Sequence, residues 1–143
     1  MNLAVSFLLF FLMTGWFVPS HKVKRAALGQ EFTLRVGEQV LIKETGLKIS
    51  FSQVEDSRCP KGVTCIWAGN GKVVVQVNEG KAKPIDVELN TMVEPKQNRF
   101  QQYSIKLVSL NPYPQKDVKI NRSDYVATLV INKGAQGISS NEE

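Results

Sequence analysis

From Glu31 onward the chain alternates between apolar and polar positions. Phe32, Leu34 and Val36 are apolar, while Thr33 and Arg35 are not. After a Gly37-Glu38 turn, Val40 and Ile42 keep the period of two, and beyond Gly46 the residues Leu47, Ile49 and Phe51 alternate with Lys48, Ser50 and Ser52. Val73, Val75 and Val77 share one face. Ile85, Val87 and Leu89 follow, then Ile105, Leu107 and Leu110, and Tyr125, Ala127, Leu129 and Ile131 close the series. A period of two sends successive side chains to opposite faces of an extended chain, and β-branched residues suit a pleated, half-buried surface. The pattern predicts an all-β domain of about seven to eight strands, separated by Gly, Asn and Pro signals and folded as a single antiparallel sandwich or barrel. Two stretches resist a strand reading. Asn90 to Gln101 is polar and reads as a long loop, with at most a helical turn near Met92 to Arg99 that Pro95 limits. Asn111-Pro112-Tyr113-Pro114 reads as a rigid turn, because neither proline has an N–H to donate.

The first twenty residues carry no charge, and Leu3 to Trp16 is an apolar run interrupted only by Ser6 and Thr14. The run is shorter than the ~20 residues of a typical membrane-spanning helix. Residues 1–20 are therefore expected to be a signal peptide ending near Ser20. The alternative is an uncleaved anchor over residues 3–18, which the basic cluster His21, Lys22, Lys24 and Arg25 just after the apolar run would favour. The organisation expected is a leader at 1–20, a basic linker at 21–30, the all-β domain at 31–133 and a disordered polar tail at 134–143. The protein is expected to be exported, periplasmic or secreted, or else tethered to the membrane by that anchor.

The only two cysteines, Cys59 and Cys65, enclose Pro60-Lys61-Gly62-Val63-Thr64. In an oxidising compartment they should pair. A seven-residue ring contributes roughly 2.4 kcal/mol by the loop-entropy relation. Pro60 and Gly62 help such a ring to close. Trp67 falls two residues after Cys65, on the same face of an extended segment, and is expected to pack on or beside the disulfide; the alternative is an exposed aromatic for ligand stacking.

The string Asp56-Ser57-Arg58-Cys59-Pro60, followed by Val63, Cys65, Trp67, Ala68 and Gly69, resembles a signature found in small exported bacterial proteins, mostly uncharacterised. The likeness extends to the strand with Gly37-Glu38 before it, to the Pro112-Tyr113-Pro114 turn and to the closing strand Tyr125 to Ile131. It covers most of the chain after the leader. It implies an exported all-β domain and no particular activity. Many proteins of that group carry a lipid-modified cysteine after the leader, which this sequence lacks.

Composition narrows the chemistry. The net charge is +5, but Lys22, Lys24 and Arg25 lie ahead of the domain, and the other 15 Lys and Arg exceed the 13 acids by two. That is no footprint for nucleic acid, and none is expected as a partner. The single histidine, His21, precedes the domain, so a Ser-His-Asp or Cys-His set is not expected, and neither is a metal site or a cofactor. Asp86 and Glu88 share a strand face that reads as solvent-facing, and Asn121-Arg122-Ser123 is a formal glycosylation sequon that reads as chance. The function expected is a non-catalytic binding or interaction module of the cell envelope, recognising an envelope or extracellular protein. Arg58, Lys61 and Val63 are expected as exposed contacts, with Trp67 as a further binding candidate. The alternatives are a protease inhibitor presenting Lys61 from the Cys59–Cys65 loop, and a structural accessory domain without a ligand.

Overall fold

The computed structural model describes residues 23–134. The expected leader at 1–20 and all but the first residue of the expected tail lie outside them. Among the described residues there are nine strands: β1 (Lys24–Ala26), β2 (Glu31–Arg35), β3 (Gln39–Ile42), β4 (Leu47–Asp56), β5 (Gly71–Glu79), β6 (Ile85–Asn90), β7 (Gln97–Phe100), β8 (Tyr103–Asn111) and β9 (Val126–Lys133). They form two open sheets, ordered β1-β3-β4-β5-β6 and β2-β9-β8-β7, so the fold is all-β without a closed barrel. The only helical element among the described residues is a 3₁₀ turn at Arg122–Asp124. It follows Asn121, whose side chain and backbone N–H both bond to the Asp124 carboxylate.

Two of the nine strands come from segments read otherwise. β1 lies in the basic segment expected as a linker and pairs in parallel with β3, whereas every other ladder is antiparallel. β7 lies in the stretch expected as a loop and pairs with β8 through four register partners.

The alternation does what hydrophobic burial requires of it. Leu34, Ile42, Leu47, Phe51, Ile105 and Leu129 are fully buried, and the inward residues of both sheets form one cluster. Phe32 to Leu34 faces the same core as Leu47 to Phe51 although the two strands belong to different sheets.

Two bulges break the alternation. In β4 the register slips between Phe51 and Gln53, and in β8 between Leu107 and Ser109. A bulge inserts one unpaired residue and so swaps which parity points inward. Before the first bulge the odd residues Leu47, Ile49 and Phe51 are buried. After it Val54 pairs with the buried Val73, and Asp56 with Gly71. In β8, Ile105 and Leu107 face inward, then Leu110.

Strand direction sorts the connections into two ends. β1–β2, β3–β4, β5–β6 and β7–β8 are joined at one end by Ala27–Gln30, Lys43–Gly46, Lys81 and its neighbours, and Gln101–Gln102. The opposite end carries the segments 57–70 and 112–125 together with the connections 36–38 and 91–96.

Candidate functional site

The residues of the cysteine segment extend the β4–β5 hairpin beyond the sheet. The Ser57 N–H donates to the Asn70 carbonyl at 2.8 Å, and the Cys59 N–H to the Ala68 carbonyl at 2.9 Å. The disulfide then closes the loop, Cys59 to Cys65, with Cα atoms 5.9 Å apart, as expected from sequence. Gly69 is required where it stands. Its φ is +72°, and a Cβ there would lie 1.8 Å from the Ser57 carbonyl oxygen.

Arg58 holds this stem to the domain. Because the bulge turns even residues inward, Asp56 and Arg58 fold beneath the loop, with side chains 3% and 5% exposed. The guanidinium grips the Asp56 carboxylate with both ends: Nε to Oδ1 at 2.8 Å and Nη2 to Oδ2 at 2.6 Å. Its other donors reach the carbonyls of Leu110 at 2.8 Å and Pro112 at 3.0 Å. The Tyr125 hydroxyl donates to Asp56 Oδ2 at 3.0 Å. This two-pronged geometry matches carboxylate to guanidinium and satisfies a charge that burial alone would penalise. Burial pushes the Asp56 carboxyl up, but the hydrogen bonds from Arg58 outweigh it and hold it below its usual value. Burial, reinforced by the hydrogen bond to Asp56, pushes the Tyr125 phenol up to about 12. Arg58 is therefore a buried anchor, and the expectation that it is an exposed contact is corrected by the parity change at Ser52.

The outgoing arm of the loop docks on the segment after β8. The Lys61 N–H donates to the Pro114 carbonyl at 2.9 Å, and the Lys116 N–H to the Lys61 carbonyl at 3.0 Å. The Tyr113 ring has two cations near it, the Arg58 guanidinium 4.7 Å and the Lys61 ammonium 5.6 Å from its centroid. The returning arm projects two apolar side chains. Ile66 is 93% and Trp67 82% exposed. The expectation that Trp67 packs against the disulfide fails because the chain bends at Ile66-Trp67, beyond the last cross-strand bond, so the extended-chain relation to Cys65 does not hold. Trp67 thus takes the exposed alternative. Lys61 and Val63 are exposed as expected. Ile66, which sequence reasoning passed over, is the most exposed of the large apolar residues among those described.

Beside the stem lies an open depression of ≈ 370 Å³, lined among others by Glu55, Ser57, Lys72, Glu88 and Glu94. Lys72 pairs with Glu55 at 2.9 Å, and Asn70 spans the floor to Asn90 at 2.8 Å and to the Met92 N–H at 3.1 Å. Among the described residues no three His, Cys, Asp or Glu side chains are arranged to hold a metal ion, and no helix is long and apolar enough to cross a membrane. No protein-family model matches the chain, and no curated protein or solved structure is detectably similar to it. The reading of the loop therefore rests on its own geometry. It offers a fixed stem, a covalently closed turn and an exposed aliphatic–aromatic pair.

Proposed function

We propose that this chain is an exported, non-catalytic binding module of the bacterial cell envelope, a β-sandwich whose stapled loop presents Ile66 and Trp67 to its target. The observation that carries the reading is the exposure of those two side chains, 93% and 82%, on a stem fixed by a fully paired buried ion pair. Exposed large apolar groups on a rigid frame cost solubility and are the usual anchors of recognition. A preorganised loop loses less conformational freedom on binding than a mobile one. Lys61 and Val63 flank the pair as secondary contacts. The disulfide is compatible with an oxidising, exported location, and the Cys-Pro, Cys-x-Trp-Ala-Gly signature supports the same placement.

The protease-inhibitor alternative has less support. A basic residue offered to a protease pocket needs a free, extended backbone, and both backbone groups of Lys61 are engaged with Pro114 and Lys116.

The test is photo-crosslinking in the native envelope, with the crosslinking residue placed at Ile66 or, as control, at the exposed Lys81 on the opposite end. Adducts at 66 and not at 81 are expected. Equal yields at the two positions, or none at either, would overturn the reading.

A further inference from the structure

Apolar exposure is confined largely to one end of the molecule. Ten large apolar side chains are exposed among the described residues. Val63, Ile66 and Trp67 lie on the cysteine loop, Met92 and Val93 on the neighbouring connection, and Tyr113 and Val118 on the segment that the loop docks against. Only Val23, Ile85 and Val108 lie elsewhere in sequence. An unpaired Trp beside an Ile on a projecting arm differs from a flat protein-binding patch, because almost nothing packs around either side chain.

Cations accompany these residues. Lys61, Lys116, Lys119 and Arg122 are exposed on the docked arm and the adjoining segment, against the two acids Asp117 and Asp124. Lys116 sits against the loop: a Cβ on Gly62 would lie 3.6 Å from the Lys116 Cβ. Arg58 adds no net charge, since Asp56 neutralises it.

The direction of the chain adds a third observation. β1 runs parallel to β3, with Lys24 beside Val40 and Ala26 beside Ile42. β3 in turn runs antiparallel to β4, which leads into the cysteine loop. The chain therefore enters the fold from the end that carries Trp67. An apolar run, Leu3 to Trp16, and Lys22 stand in the sequence before that entry.

We infer that the target of this loop is an anionic lipid bilayer, with Trp67 and Ile66 entering the headgroup–acyl boundary and Lys61, Lys116 and Lys119 facing the charged surface. The inference rests on the binding-module reading and names its target. Trp suits the membrane interface because its ring is apolar and its N–H remains bonded to water or headgroups. Lysines attract anionic headgroups while their stems lie along apolar surface. Attachment at a bilayer surface strengthens with the apolar area buried and with attraction to anionic lipids, so the two features act together.

The experiment uses the full chain with Trp16→Phe, which leaves Trp67 as the only tryptophan. Its fluorescence is followed with vesicles of phosphatidylcholine alone or mixed equally with phosphatidylglycerol, each carrying a brominated lipid as quencher. On anionic vesicles the emission should shift to the blue, with quenching by the bromolipid at least about fivefold stronger than on neutral ones. The Lys61→Glu/Lys116→Glu variant, its melting temperature unchanged, should lose that difference. Acrylamide quenching that is the same with and without anionic vesicles would overturn the inference. So would shielding of Trp67 that grows with protein concentration in the absence of lipid, which would make the occupant a second copy. A protein adduct at position 66 in the envelope, together with a water-exposed Trp67 on vesicles, would remove the bilayer and leave the binding-module reading standing. Absence of both would remove both.

Discussion

The two ends of the molecule are built to different rules. At one end the strands are joined by tight turns such as Thr45-Gly46 and Glu79-Gly80, closed by local hydrogen bonds from Thr45 Oγ1 and Asn78 Nδ2. At the other end long segments are held by side chains that reach far along the chain: Arg58 bonds carbonyls 52 and 54 residues away, and Tyr125 a carboxylate 69 away. The first end needs only short-range geometry to close. The second uses buried charge to fix loops that carry too little apolar surface to fix themselves, and in doing so it holds the exposed Ile66 and Trp67 in place. Stability and presentation are thus concentrated within the same few residues, which lets the comparison be tested by breaking one end at a time.

The largest effect is expected from Arg58→Ala, which leaves the Asp56 carboxylate buried without its partner. A loss of about 3–5 kcal/mol is expected, read by denaturant unfolding. The glycines compare the ends directly. Gly69→Ala drives a Cβ into the Ser57 carbonyl and should cost about 3 kcal/mol or more. Gly80→Ala, at φ +57° with open space around it, should cost about 1 kcal/mol. Equal costs would mean that the loop stem yields, and that the long end is not the rigid one. Replacing Cys59 and Cys65 together by Ser should cost about 2.4 kcal/mol in the melting analysis.

Tyr125 allows a test by pH. Its phenol titrates near 10 in an unfolded chain and near 12 in the fold, so the folded state holds the proton more tightly. Its contribution is complete below pH 10 and is lost as pH rises toward 12; Tyr125→Phe should flatten that decline. Asp56 works in the opposite sense. Its lowered value makes its contribution present above the ordinary carboxylate range and lost on acidification. The smallest effect on stability is expected from Ile66→Ser/Trp67→Ser, within about 0.5 kcal/mol, because neither side chain packs on anything. The same variant should lose the crosslinks and vesicle contacts assigned to the loop. A melting shift above about 1 kcal/mol would show these residues to be structural.

How much of this was legible follows from which signals are local. Period-two runs such as Val73 to Val77 and Tyr125 to Ile131 read directly as half-buried strands, and two cysteines six positions apart read directly as a staple. β1, with the residues Lys24, Arg25 and Ala26, is too short and polar to show a period. β7 buries only Phe100 of its four residues. The bulges left no mark in composition, because Ser52 and Val108 are ordinary strand residues. The inward turn of Arg58 was therefore hidden, and with it the anchor of the candidate site. Trp67 carried a real ambiguity, since a Trp after a cysteine can pack or project. Only the bend at Ile66-Trp67 resolved it.

Strand alternation behaves as a reading frame, and the extra residue at Ser52 is a shift in that frame. Upstream of it the inward letters are Leu47, Ile49 and Phe51; downstream they are Val54, Asp56 and Arg58. Deleting Ser52 would leave the ladder continuous, with Phe51 still opposite Val75 and Gln53 opposite Val74, and would keep Asp56 and Arg58 inward. The strand thus carries one spare letter: losing it leaves the loop in frame, whereas a second deletion before Asp56 would turn Asp56 and Arg58 outward while every residue of the loop remained present.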